Sequence, residues 1–563
     1  MANNRLLLFA LSAIAAAWLI ILFYRGFNDP DEGRYSEIPR EMVASGNWLE
    51  MRMLGFRYYE KPPLAYWIVA PAIKMFGPHD WAVRIPLLVS GLLGLIALWT
   101  LAVDKMGRER GAMAFLVMAS TIGFIAGNGL LLTDSFLLTF FTLTCLALYR
   151  AFEGPPTLWR NAWLLMAALA AALGFFTKGA VAIVLPAAIA FIWLLWEKRL
   201  KELFSPVVFV AGLLFILLTA PVLWAVEQDN PGFFRHFILE EHIARFTGTR
   251  ATQLHPEPFW FFLMVLPLLL LPWTLFILRA VRTIRERSVL QQDSFARFLL
   301  VWAAVVVCFF SAATGKLMSY ILPAIPPLGL LLGRWGVGEP PGERGGWDRR
   351  LWNFGAAGFL VLALVICALW GIAYFRLIPE KVYAISGISV TALIPVMAII
   401  VYAACRKLKF DFNGLLFLNA GILLSCALLL SPLAGKDFNV LLHINSSHVY
   451  KRLAQELKPE DTLVVFWSYR PALPFYTGRM YLPYQERNEL EFGMKMEPER
   501  RAWLDNKEDL DALLRNARGR VFAMVEPQDM REKFPALNLD FKESNLPRDP
   551  DTLIFELVKP PVP

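Results

Sequence analysis

Charge is what this sequence has least of. Only 18% of its 563 residues are Asp, Glu, Lys or Arg, against 57% hydrophobic and 14% aromatic, and the mean hydropathy is +0.49. A soluble globular chain carries roughly 25% charged residues. The deficit is uneven: long apolar runs fill the first three quarters, and the last quarter has an ordinary composition. Cysteine is scarce as well. The five cysteines, Cys145, Cys308, Cys367, Cys405 and Cys426, lie within or at the edge of apolar runs and none has CxxC spacing. That argues against a disulfide framework or a cysteine metal site. The tail holds no cysteine and needs no oxidation to fold. No repeat or low-complexity segment stands out. A net charge of +8 would suit a nucleic-acid binder, but the basic residues lie mostly between apolar runs, where they read as topology signals. No nucleic-acid partner is expected.

What the sequence has instead is hydrocarbon-spanning length. A helix needs about 20 apolar residues to cross a bilayer. Thirteen runs qualify, centred near residues 15, 93, 120, 140, 168, 187, 216, 269, 304, 325, 362, 394 and 423. The first follows Arg5 and continues from Leu6 to Tyr24, so it reads as an uncleaved span rather than a signal peptide. The shorter run Leu64–Phe76 follows a Pro-Pro pair and reads as an interfacial segment or an extension of the next helix.

With a cytoplasmic N-terminus, one set of loops collects Lys105/Arg108/Arg110, Arg150/Arg160, Lys198/Arg199/Lys201, Arg279/Arg282/Arg285/Arg287, Arg334/Arg344/Arg349/Arg350 and Arg406/Lys407/Lys409. The short loops opposite hold Lys178, Lys316, and Arg376 with Lys381. This alternation satisfies the positive-inside rule. The expected fold is an α-helical polytopic membrane protein with about 13 transmembrane helices and a small soluble α/β periplasmic C-terminal domain. The expected domains are 1–433, with external loops 25–81 and 227–257, and 434–563. In the tail, Ser447–Leu457 reads as an amphipathic helix, and Thr462–Trp467, Arg520–Val525 and Thr552–Val558 read as strands.

The first external loop carries Asn28-Asp29-Pro30-Asp31-Glu32-Gly33-Arg34-Tyr35. Three carboxylates in four residues repel one another unless a cation or proton intervenes. They read either as the solvated start of a helix or as a cation-binding site. Further on, Tyr58-Tyr59-Glu60-Lys61-Pro62-Pro63 offers a lysine that either snorkels or binds an anionic phosphate.

Asp134 lies at the outer end of the fourth span. An ionisable residue there marks a functional site by default, the other reading being a helix cap. Lys178 and Lys316 also sit at outer helix ends, and with Lys61 they suit a cationic pocket for phosphate. The second loop holds His236, Glu241, His242, Arg245, Arg250 and His255. Histidine with carboxylate suits a divalent ion, yet no pair here has HxxxH spacing.

In order, Asp-Pro-Asp-Glu-Gly-Arg-Tyr, Arg-Tyr-Tyr-Glu-Lys-Pro-Pro, Leu-Thr-Asp, Phe-Thr-Lys-Gly, Glu-His-Ile-Ala-Arg-Phe, Gln-Leu-His-Pro-Glu-Pro-Phe-Trp and Gly-Lys-Leu-Met-Ser-Tyr-Ile-Leu-Pro follow one another along the membrane part. This ordered set resembles the GT-C membrane glycosyltransferases of the protein mannosyltransferase-like superfamily, and among them the bacterial aminoarabinose transferases of lipid A. The resemblance is much weaker over the tail.

It implies a GT-C fold, an undecaprenyl-phosphate-linked sugar donor, a lipid A phosphate acceptor, and no nucleotide, in keeping with the lack of a Gly-rich phosphate loop. It also implies catalytic roles for Asp31, Asp134 and Lys61. The substrates would be bound by Arg34, Tyr35, Tyr58, Lys178, Arg245, Lys316 and Tyr320. Glu60 with His242 or His255 would hold a divalent ion such as zinc. Asp29, Asp31 and Glu32 together would favour a cationic aminosugar. A transporter is the alternative from another class, although no repeat symmetry supports it. A related transferase with another sugar, or with a protein or glycan acceptor, is the other.

Overall fold

The computed structural model describes residues 4–58, 60–154, 158–244, 247, 256–338, 346–377, 412–429, 447–500, 502–543 and 552–558. The expected span near residue 394, and the loop charges Arg344, Lys381, Arg406, Lys407 and Lys409, lie outside these. The chain divides into two compact units. One comprises residues 1–22, 86–228 and 232–434, and the other residues 23–85, 229–231 and 435–563. The first external loop thus packs with the C-terminal segment as one body, across more than 300 residues of intervening chain.

The larger unit is helical. Among the described residues, five helices are long and apolar enough to cross a membrane: Ala82–Met106, Thr133–Glu153, Leu158–Lys178, Pro206–Asp229 and Ser294–Ala312. Two of the expected spans are broken. Arg108–Ala119 and Ile122–Gly129 bend by 63°, and Phe261–Leu269 and Trp273–Glu286 bend by 105°. The first break falls at Ser120–Thr121, where Thr121 Oγ1 accepts the Phe124 N–H at 3.2 Å and so starts a new helix. The run near residue 325 is also subdivided, into a 3-10 turn Met318–Ala324, a helix Ile325–Leu331 and a wider turn Leu332–Val337. Aromatic packing fills the interior: Tyr149 lies 5.1 Å from Trp193 and 4.8 Å from Phe298, centroid to centroid. Such pairs add to the stabilisation from area burial alone.

In the smaller unit the sheet contains β3 (Thr462–Phe466), β4 (Leu482–Tyr484), β5 (Val521–Val525), β6 (Phe541–Glu543) and β7 (Leu553–Leu557); β1 (Arg52–Met53) and β2 (Phe56–Arg57) form a separate hairpin. The strand order is β4-β3-β5-β7-β6, with β3 parallel to both neighbours and β7 antiparallel to both of its own. The central strands β3 and β5 are near-continuous apolar runs because both faces are covered. Their bounds agree with the sequence expectation to within a residue, as does the helix Ser447–Glu456. The three-residue edge strands β4 and β6 were not expected. Pro483 sits in β4, a position an edge strand tolerates.

Candidate functional site

In the larger unit, Thr133–Glu153 and Leu158–Lys178 are consecutive helices of 21 residues each, packed against one another. Equal length and a short connection bring the start of the first beside the end of the second. Asp134, in the first turn of one, therefore meets Lys178, the last residue of the other. Each charge sits where its own helix dipole favours it. Lys178 Nζ donates to Asp134 Oδ1 and lies 4.0 Å from the centre of the Tyr320 ring. Ser319 Oγ donates to Asp134 Oδ2 at 3.2 Å.

The structure thus brings together Asp134, Lys178 and Tyr320. It adds Ser319, which stands inside the Gly-Lys-Leu-Met-Ser-Tyr motif but carries no sequence signal of its own. Lys316 is buried and donates to the Glu257 carbonyl at 2.6 Å, tying down the chain before Phe259–Trp260. Where the sequence offered a phosphate-facing cation, the geometry gives Lys316 the part of an anchor. Arg245 and His255 lie outside the described residues, as does the side chain of His242.

In the smaller unit, the three neighbouring carboxylates of the first loop part ways. Glu32 is fully buried between Arg25 and Arg84. It also accepts the Asn28 N–H at 2.8 Å, and the Arg84 guanidinium donates to the carbonyls of Arg25 at 2.7 Å and Gly26 at 2.9 Å. Asp29 is half-buried, with its Oδ2 out of reach of solvent. Its Oδ1 accepts the Ala472 N–H at 3.1 Å, and burial pushes its carboxyl up to about 7. Asp31, with its side chain 45% exposed, stays within reach of solvent, paired with Arg34. An acidic trio acting jointly on a cationic sugar is therefore replaced by one available carboxylate and two structural ones.

Arg34 pairs with Asp31 on its own helix and with Glu489 in the C-terminal segment, and its guanidinium lies 4.8 Å from the centre of the Tyr35 ring. The Tyr58 hydroxyl is 3.3 Å from Glu489 Oε2 and 3.5 Å from Glu60 Oε2. Burial raises the Tyr58 phenol well above its usual range, so it remains a neutral donor near neutral pH. Lys61 Nζ lies 3.6 Å from Glu60 Oε2. The smaller unit thus gathers Asp31, Arg34, Tyr35, Tyr58, Glu60 and Lys61, with Glu489 as a member no local pattern announced. Among the described residues no three His, Cys, Asp or Glu side chains converge as a metal would require. Of the expected metal ligands only the side chain of Glu60 is described, and its neighbours there are Lys61 and Tyr58.

Gly33 shows why this helix carries no side chain at that point: a Cβ would clash with the Ala472 backbone nitrogen. The helix Asp31–Ser45 can approach Ala472–Thr477 this closely only at glycine.

Comparisons with known proteins agree with this picture. Residues 60–224 match the family described as dolichyl-phosphate-mannose-protein mannosyltransferase, and residues 449–544 match the aminoarabinose transferase C-terminal domain. A protein of Pseudomonas savastanoi pv. phaseolicola named undecaprenyl phosphate-alpha-4-amino-4-deoxy-L-arabinose arabinosyl transferase is 35% identical over 325 residues, 57% of this chain and 59% of its own length. One of the same name from Erwinia tasmaniensis is 34% identical over 383 residues, 67% of this chain and 66% of its own. The aligned part thus spans less than two thirds of either relative. The fold resembles the crystal structure of ArnT from Cupriavidus metallidurans bound to undecaprenyl phosphate, with a TM-score of 0.78 at 22% identity, over 99% of this chain and 98% of that one. Helical bundle, C-terminal domain and ordered motifs agree, and the chain belongs to the GT-C membrane glycosyltransferases, in the ArnT-like family.

Proposed function

We propose that this protein is a lipid-linked glycosyltransferase that moves 4-amino-4-deoxy-L-arabinose from undecaprenyl phosphate to a phosphate of lipid A, on the periplasmic face of the inner membrane. The observation that carries this reading is the match of residues 449–544 to the aminoarabinose transferase C-terminal domain, alongside relatives named for that reaction. In this proposal the N-terminus is cytoplasmic and the C-terminal domain periplasmic, as the loop charges imply.

In the reaction, an oxygen of the acceptor phosphate attacks C1 of the sugar. The bond from C1 to the donor phosphate oxygen breaks, and undecaprenyl phosphate leaves with the electron pair. A phosphate acceptor is already anionic near neutral pH, so no strong general base is needed. Asp31 and Asp134 orient the reacting groups. Lys61, Lys178 and Arg245 neutralise phosphate charge, which matters most on the departing phosphate. Arg34, Tyr35, Tyr58 and Tyr320 bind the polar parts of the substrates. Glu60 with His242 or His255 is proposed to hold a divalent ion, and carboxylate with imidazole is a donor set that suits zinc. Bound there, the ion would add positive charge beside phosphate.

Mass spectrometry of lipid A from cells with and without the gene tests the assignment. A gain of one aminopentose on a phosphate supports it, and unchanged lipid A beside altered glycoproteins overturns the acceptor. Chelator-insensitive turnover of the purified enzyme would remove the metal from the scheme.

A further inference from the structure

The larger unit holds a cavity of about 410 Å³ among three of its spans, Ala82–Met106, Thr133–Glu153 and Leu158–Lys178. Its lining runs from Leu143 to Arg150 on the second span and from Trp163 to Leu173 on the third, toward the helix ends away from Asp134 and Lys178. One alanine on each helix, Ala97, Ala147 and Ala170, leaves the space. The Thr100 hydroxyl on its wall is already bonded to the Ala97 carbonyl at 2.9 Å. The remaining lining is apolar except at one end, where Arg150 and the Trp163 indole stand. Met166 and Leu169 beside the cavity are exposed, so it opens on the face that these spans present to hydrocarbon. At 1.5 Å per residue the lined stretches are about 10–15 Å long. One leaflet of a bilayer has a hydrocarbon depth of about 15 Å.

The polar end has a definite charge pattern. Arg150 Nη1 donates to Asp104 Oδ2 at 2.6 Å, and Lys105 Nζ lies 2.9 Å from the same oxygen. Lys105 and Arg150 also pair with Glu153, the latter at 3.7 Å. Two cations and two carboxylates leave this cluster without net charge. Arg150 Nε and Nη2, and Asp104 Oδ1, have no hydrogen-bond partner among the described residues. The Asp104 side chain is 47% exposed. An anion donor and a cation acceptor thus stand side by side at the mouth of an apolar cavity, and both are available without breaking an existing pair.

We propose that this cavity is a binding site for a zwitterionic phospholipid with a primary ammonium headgroup, of the phosphatidylethanolamine class. One acyl chain fills the apolar part. The lipid phosphate takes the open edge of the Arg150 guanidinium, which matches phosphate oxygens in pairs. The Trp163 indole stands at headgroup level, where tryptophan is favoured. The ammonium, two carbons from the phosphate ester, donates to Asp104 Oδ1. A neutral cluster gives an anionic headgroup no advantage, and this favours the zwitterion. In the topology proposed above the lipid lies in the cytoplasmic leaflet. The site is separate from the transferase reading and does not depend on it.

The test is native mass spectrometry of the delipidated full-length protein in detergent, titrated in turn with dioleoyl phosphatidylethanolamine, phosphatidylglycerol and phosphatidylcholine. One phosphatidylethanolamine per chain is expected to bind at least about 5-fold tighter than the other two, because glycerol lacks the ammonium and choline has no N–H to donate. Asp104→Asn should erase the preference over phosphatidylcholine, and Arg150→Gln should weaken all three lipids about 10-fold. Thr100→Trp, at an exposed position where the fold tolerates bulk, fills the cavity and should abolish the tight site. Equal affinity of the wild type for the three lipids marks a non-specific lipid annulus and overturns the proposal, as does tighter binding of phosphatidylglycerol. Unchanged phosphatidylethanolamine binding in Thr100→Trp overturns it as well. None of these readouts involves sugar transfer, so failure of the transferase reading would leave them unaltered.

Discussion

Replacing Glu32 by glutamine separates the structural acid of the first loop from the one proposed to act on substrate beside it. Glu32 is fully buried, and its partners Arg25 and Arg84 are buried as well. Glutamine keeps the shape but removes the negative charge that two buried guanidinium groups share. Removing one partner of a buried pair typically costs about 3–5 kcal/mol. At roughly 2–4 °C per kcal/mol for a body of this size, the melting temperature of Glu32→Gln should fall by about 6–20 °C. Asp31→Asn is the control. Its side chain is 45% exposed, and an ion pair that open contributes at most about 1 kcal/mol. That variant should melt within a few degrees of wild type while losing sugar transfer. The assay is intrinsic tryptophan fluorescence on heating in detergent, paired with donor turnover. If Glu32→Gln melts like wild type while Asp31→Asn melts far lower, the assignment of roles within the loop is wrong.

Other expectations follow from single contacts. Asp134→Asn and Lys178→Met should each lower kcat/KM at least tenfold, and the double variant should lose less than the two losses combined, because the pair acts as a unit; strictly additive losses in a double-mutant cycle would refute the coupling. Gly33→Ala forces a methyl onto the Ala472 backbone, so about 1–3 kcal/mol of stability should be lost and limited proteolysis should cut between the first loop and the C-terminal segment more readily; unchanged protease resistance would count against that contact. Asp29 has a folded-state value near 7 against 3.8 in the unfolded chain, so the folded state holds the extra proton between these values. Its contribution is present at low pH and is lost as pH rises toward 7, so melting temperature should fall across pH 4–7, and Asp29→Asn should flatten that slope. An identical slope in the variant would remove Asp29 as its cause.

The sequence by itself determined what depends on neighbours along the chain. Apolar run length announced membrane helices, and the near-continuous apolar strands β3 and β5 stood out against a tail of ordinary composition. Motif order along the chain points to the superfamily without any tertiary contact. The run near residue 120 was legible as apolar, but not as broken, because Thr121 reads as a cap only once its hydroxyl faces the Phe124 N–H.

Tertiary structure alone decided how the charges are used. Asp29, Asp31 and Glu32 look equivalent as neighbours in sequence. Successive residues of a helix point about 100° apart, so a helix beginning at Asp31 turns Glu32 toward Arg25 and Arg84 and leaves Asp31 outward. Arg34 meets Glu489 across 455 positions, and Asp134 meets Lys178 across 44. No local pattern encodes such distances, because each depends on how whole helices and a remote sheet pack. The carboxylate-rich loop was visible in the sequence; that Asp31 among its three acids stays open to solvent is a property of the fold.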